Sequence, residues 1–169
     1  MCLDIELSQK EKDRLLYIVP EIFVGWKVGR YYSKKLELTS LVHLYHFWKE
    51  GVNKEDDHSL SKNFPNSSGI YAYAKKTSAE PFIYNTVNVK KVIFPVIIKK
   101  ENIKKIGYEE LDGNKYLTFV CTEVEFSYRF LKDYDLAKKA VEAQLSRTVS
   151  GSTKELTELC GRSELCPKR

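Results

Sequence analysis

Apolar and polar positions follow two different periods along the chain, and the switches between them mark out its elements. Ser8-Gln9-Lys10-Glu11 has the spacing of a capping box. In that motif the serine hydroxyl accepts the glutamate N–H and the carboxylate reaches back to the serine N–H. Leu15, Leu16 and Val19 then fall on one side, and Pro20 closes the predicted helix. From Ile22 to Tyr32 β-branched and aromatic residues take over, which predicts a strand. Lys27, between Trp26 and Val28, predicts that one face of this strand is less fully buried.

Between Leu38 and Trp48 alternation fails, because Leu41-Val42 and Phe47-Trp48 are adjacent apolar pairs. With Ser40 placed to cap and Gly51 to stop, the pattern predicts a helix. Residues 52 to 69 are polar and read as a long loop. Gly69 to Ala74 predicts a short strand, followed by a brief helix from Thr77 cut by Pro81. Val92 to Ile98 is apolar on both faces and belongs in the sheet interior, with Pro95 marking a bulge or an unpaired side. Later, Leu117, Phe119 and Cys121 point one way, and Val124 and Phe126 continue in the other phase. That slip predicts a bulge near Thr122. Asp133 caps a helix whose Leu136, Ala137, Ala140, Val141, Gln144 and Leu145 form a single stripe. Ser152-Thr153-Lys154-Glu155 is a second capping box, and Gly161 stops its helix.

These elements predict an α+β fold: a strongly bent, mainly antiparallel sheet from strands near 22–32, 69–74, 91–99 and 115–128, with helices on its faces. Residues 1–146 form the expected α+β domain, and 147–169 a helical annex behind a linker at 147–152. A chain of 169 residues, 43% hydrophobic, is the right size for that plan. No apolar run approaches the ~18 residues of a membrane helix, and the N-terminus lacks the apolar core of a signal peptide. The expectation is a cytoplasmic protein without a membrane partner.

Charge and chemistry refine this only modestly. The net charge is +5. Lys90, Lys91, Lys99, Lys100, Lys104 and Lys105 bracket the apolar strand against a single acid, Glu101. They read as solvated strand ends, which disfavours a nucleic-acid partner, since binding needs lysines converging on one face. His43 and His46 share a helical face but lack a third ligand nearby, so no metal site is expected. Cys2 reads as a residue of a first apolar strand, and Cys160 and Cys166 as free thiols. The chain contains no Gly-rich phosphate loop and no G-x-S-x-G segment.

Two resemblances add to this reading. Met1-Cys2-Leu3, Trp26-Lys27-Val28, Ser68-Gly69-Ile70-Tyr71-Ala72-Tyr73 and the Val92–Ile98 strand resemble a family of small phage and bacterial proteins without an assigned activity. The order Trp26-Lys27-Val28-Gly29-Arg30, Gly69-Ile70-Tyr71-Ala72-Tyr73, Thr77-Ser78-Ala79 and Val92–Ile98 is similar to ADP-ribosyltransferases of the poly-ADP-ribose polymerase type. The second resemblance implies NAD as cofactor, Tyr71 as the ring that stacks on nicotinamide, and Glu123 or Glu125 as the catalytic carboxylate. The family's His falls on Lys27 and its following Gly on Val28. What the resemblance implies is therefore the scaffold more than the transfer chemistry.

Three functions follow as expectations. The first is a phage-type accessory protein that binds a host or defence protein without catalysis, a role suited by 11 tyrosines in 169 residues. The second is a holder of NAD or another nucleotide ligand on the transferase-like scaffold. The third, a nucleic-acid binder through the 90–105 lysines, ranks last. The expected ligand-binding residues are Arg30, whose guanidinium fork suits a phosphate, with Tyr71 and Tyr73, which share one strand face.

Overall fold

The capping box forms as its spacing requires. Ser8 Oγ accepts from the Glu11 N–H at 3.4 Å, and the Glu11 carboxylate accepts from the Ser8 N–H at 3.0 Å. Helix α1 (Gln9–Ile18) follows a short strand, β1 (Ile5–Glu6), and lays Leu15, Leu16 and Val19 against the core. The computed structural model describes residues 3–32, 37–40, 47–54, 69–83 and 90–147.

Strand β2 (Ile22–Tyr32) is the spine of the sheet. It pairs with β6 (Lys90–Lys99) over ten consecutive positions, from Ile22↔Lys99 to Tyr31↔Lys90. The register passes Pro95 without a bulge, placing it opposite Trp26. On its other side β6 meets β9 (Glu123–Phe126) only at Ile97. Of the two roles predicted for Pro95, the unpaired side is the one that fits, because proline has no N–H to give a ladder.

Two predictions are corrected beside this spine. Residues Glu37–Ser40 form a strand, β3, paired with the second half of β2. The Trp48 N–H donates to the Leu38 carbonyl at 2.8 Å, and Phe47 bridges Thr39. Leu38 and Thr39 are both buried, and of the adjacent apolar pair Phe47-Trp48 only Trp48 is buried, at 2% exposed against 45% for Phe47, so that pair is one buried and one exposed side chain and not a helical stripe. Gly51, at φ +88°, opens strand β4 (Gly51–Lys54), so the predicted loop begins as a strand on β9. Residues 41–46 and 55–68, with His43, His46 and His58, lie outside the described residues.

The chain then builds β5 (Ile70–Tyr73), the one-turn helix α2 (Lys76–Ala79) and a 3-10 turn at Glu80–Phe82 that carries Pro81. Strands β7 (Ile103–Leu111) and β8 (Asn114–Cys121) make a hairpin. Its turn, Asp112-Gly113, has φ values of +52° and +77°, the two positive values of a type I′ turn. The predicted bulge near Thr122 is a strand switch. β8 pairs with β5 and β7, whereas β9, one residue later, pairs with β6 and β4. A 3-10 turn at Lys100–Asn102 makes the matching bend between β6 and β7, and the Thr122 N–H donates to the Asn102 carbonyl at 2.9 Å.

The strand order is β1-β7-β8-β5-β2-β6-β9-β4, with β3 on β2, and every pairing is antiparallel. The two paired bends fold this sheet on itself. Phe94, Val96 and Ile98 of one half thereby share a core with Ile106, Phe119 and Cys121 of the other. A third helix, α3 over 135–147, buries Ala137 and Val141 against that core, as its stripe predicts. On the opposite face of β2 and β5, Val28, Tyr73 and Ile93 form a second cluster beneath Ala79 and Phe82. The fold is α+β with a bent antiparallel sheet. Residues 148–169, and so the predicted annex, lie outside the described residues. Among the described residues no helix is long and apolar enough to cross a membrane.

Candidate ligand-binding groove

The partial pairing of β6 positions a large concavity. Because β9 reaches β6 only at Ile97, the first residues of β6 border a groove of about 900 Å³. Its lining includes Lys76, Glu80 and Ile83 from the α2 region and Tyr128, Leu131, Lys132 and Tyr134 from the segment after β9. Lys90, Lys91, Val92 and Ile93 lie along β6, with Tyr31 across the β2–β6 pairing from Lys90. Among the described residues, four lysines therefore line the groove against one carboxylate, Glu80.

Those charges differ from lysines elsewhere on the surface. Lys54, Lys100, Lys105, Lys115 and Lys138 each lie within 4.0 Å of a carboxylate. Lys90 and Lys132 have no such partner among the described residues, and Lys76 Nζ sits 4.8 Å from the Tyr134 ring centroid instead. The tyrosines are held from behind. Tyr134 donates its hydroxyl to the Ile93 carbonyl at 3.1 Å, and Tyr128 to the Trp48 carbonyl at 2.8 Å. Burial raises the Tyr128 hydroxyl above its ordinary pKa, so it stays a donor. A groove lined by lysines, tyrosine rings and the apolar Val92, Ile93 and Leu131 suits an anionic ligand that also carries apolar or ring surface.

The residues expected from the sequence do not gather here. Arg30 is half-buried opposite Lys91 and Thr39. Tyr71 is 7% exposed, and its carbonyl accepts from Lys27 Nζ at 2.6 Å. Tyr73 is 1% exposed, stacked on Phe82 at 4.9 Å, with its hydroxyl donated to Glu109 Oε2 at 2.7 Å. Desolvation raises both Tyr73 and Glu109 above their ordinary pKa values, and the hydrogen bond from Tyr73 opposes the rise at Glu109.

Glu123 and Glu125 border a separate pocket of about 40 Å³ with Lys99 and Asn102. Glu123 accepts from Asn102 at 3.2 Å, and Glu125 from Gln144 at 2.9 Å. Glu125 lies opposite Ile97 of β6 and Arg30 opposite Lys91. Six residues of strand separate those partners, about 20 Å at the usual rise. The carboxylates and the guanidinium thus do not share one cleft.

Lys27 departs most from its predicted setting. Gly25, Lys27 and Gly29 point to the same face of β2, and that face is the core. A Cβ on Gly29 would stand 2.7 Å from the Thr39 carbonyl and 2.9 Å from the Phe94 ring. The glycines therefore let β2 pack closely, and Lys27 is enclosed between them. Its Nζ lies 5.5 Å from the Trp48 ring centroid, and desolvation brings its pKa down to about 8. The neighbouring Cys121 is pushed up to about 12 by burial, which keeps it a thiol and a poor nucleophile.

Sequence reasoning singled out Lys90 and Lys91 but not Lys76, Lys132, Tyr128 or Tyr134. Among the described residues no group of three or more His, Cys, Asp or Glu side chains is placed to hold a metal ion. No family model, curated protein or solved structure matches the chain.

Proposed function

We propose that the protein acts by binding, and that the ligand of its groove is anionic. The observation that carries this reading is the set of Lys76, Lys90, Lys91 and Lys132 around one cavity, with Lys90 and Lys132 lacking carboxylate partners among the described residues. Keeping like charges close together costs free energy in the empty protein, and an anion lowers that cost. A role in binding is common to the accessory-protein and nucleotide-holder readings. The dispersal of Arg30, Tyr71, Glu123 and Glu125 favours it over group transfer. The rest of the lysine run supports a bounded ligand over a nucleic-acid track: Lys100 and Lys105 are neutralised by Glu21 and Glu6.

Charge reversal tests this directly. In the double variant Lys90→Glu, Lys132→Glu, calorimetric affinity for tripolyphosphate or ATP is expected to fall at least about tenfold, because attraction becomes repulsion. Both positions are exposed, so the melting temperature should barely move. Wild-type affinity should also weaken as salt rises from ~50 to ~300 mM. Equal binding by the variant and the wild type, or no binding of any anion, contradicts the reading.

A further inference from the structure

We infer that the anion is a free nucleotide, its base stacked on Tyr31 and its phosphates held by Lys90 and Lys132; this rests on the anionic groove proposed above. Among the three tyrosines of the groove, Tyr128 and Tyr134 have their hydroxyls tied to backbone carbonyls. Their rings also lie against Phe126 and Trp26. Tyr31 makes neither a hydrogen bond through its hydroxyl nor a ring–ring contact among the described residues, although it is partly buried at the core's margin. Its ring packs against the core and also lines the groove, so the part left to the groove is the aromatic surface a ligand can cover.

The register fixes what lies next to that surface. Tyr31 and Lys90 are direct partners in the β2–β6 ladder. Opposed residues of an antiparallel pair project from the same face with Cβ atoms about 5 Å apart. A flat ring resting on Tyr31 thus has the Lys90 side chain rooted beside it, within reach of a phosphate carried by that ring's sugar. Lys132, from the segment after Leu131, supplies a second cation without a carboxylate partner among the described residues. The cavity of about 900 Å³ falls in the range of small-molecule sites. Along β6 itself a polynucleotide track is disfavoured, because after Lys91 the next lysine is Lys99, about 25 Å away, and Lys100 beyond it is already paired with Glu21.

Titration calorimetry with ATP, tripolyphosphate and a twelve-nucleotide oligothymidylate separates the possibilities. On the wild-type protein, ATP is expected to bind at least about fivefold more tightly than tripolyphosphate, the low end of what one base–aromatic stack contributes. Tyr31→Ala should erase that advantage and leave tripolyphosphate affinity unchanged, while Tyr31→Phe should keep it, because stacking uses the ring and not the hydroxyl. If tripolyphosphate equals ATP, the nucleotide assignment fails and the anionic groove survives. If the oligonucleotide binds more tightly than ATP, the free-nucleotide assignment also fails. If none of the three binds, both readings fail. The wild-type comparison decides even where a Tyr31 variant does not fold.

Discussion

Replacing Trp48 with alanine is expected to remove about 3–5 kcal/mol of stability, the usual cost of deleting a large buried aromatic. Trp48 is 2% exposed and lies edge-on to Phe94 at 5.1 Å and to Phe126 at 5.6 Å. Its ring joins β6, β9 and the segment after β3, so its loss opens a cavity where three parts of the core meet. A domain of this size holds roughly 5–15 kcal/mol in total, so the variant should be marginal, melting about 10 °C or more below wild type. Thermal unfolding followed by circular dichroism measures the shift. A change below about 1 kcal/mol would place Trp48 at the surface and undo the account of this core.

The second large effect concerns Lys27. Lys27→Met should stabilise the protein near neutral pH, even though it deletes the hydrogen bond to the Tyr71 carbonyl. The folded pKa of about 8 lies below the ordinary 10.5, so protonated Lys27 costs about 3 kcal/mol of folding free energy. Loss of the hydrogen bond and of the Trp48 contact offsets about half of the gain. Between pH 8 and pH 10.5 the unfolded chain binds more protons at this position than the folded one, so wild-type stability rises with pH there. The advantage of Lys27→Met should therefore be largest below pH 8 and shrink as the pH approaches 10.5. Urea unfolding of both proteins at pH 7 and pH 10 reads this difference. A constant gap between them would show that Lys27 has the same pKa folded and unfolded.

The strands at 22–32 and 92–98 and the α1 cap are legible because their signals are local: β-branched runs, two-sided apolarity and a reciprocal side-chain pair. The segment at 37–48 misleads because Phe47 is an exposed apolar residue beside the buried Trp48, so hydrophobicity there does not report burial and period-two alternation is lost from the sequence. The phase slip at Thr122 is visible, but a bulge and a strand switch leave the same trace in sequence. The difference lies in which partners β8 and β9 choose, a non-local matter. Lys27 carried an unread hint, since the glycines at 25 and 29 share its face and show that the face is crowded. The groove had no single local signal. Lys76, Lys132, Tyr128 and Tyr134 come from separate turns and helices, and only the half-paired edge of β6 brings them to Lys90.

The central claim, that the groove beside the start of β6 is where this protein meets its ligand, is tested most directly by backbone amide NMR during titration with ATP. Binding at this site predicts saturable shifts in Tyr31, Lys76, Lys90 to Ile93 and Tyr128 to Tyr134, with Lys99, Asn102, Glu123 and Glu125 unmoved. Shifts confined to that second group, or scattered without saturation, would contradict it.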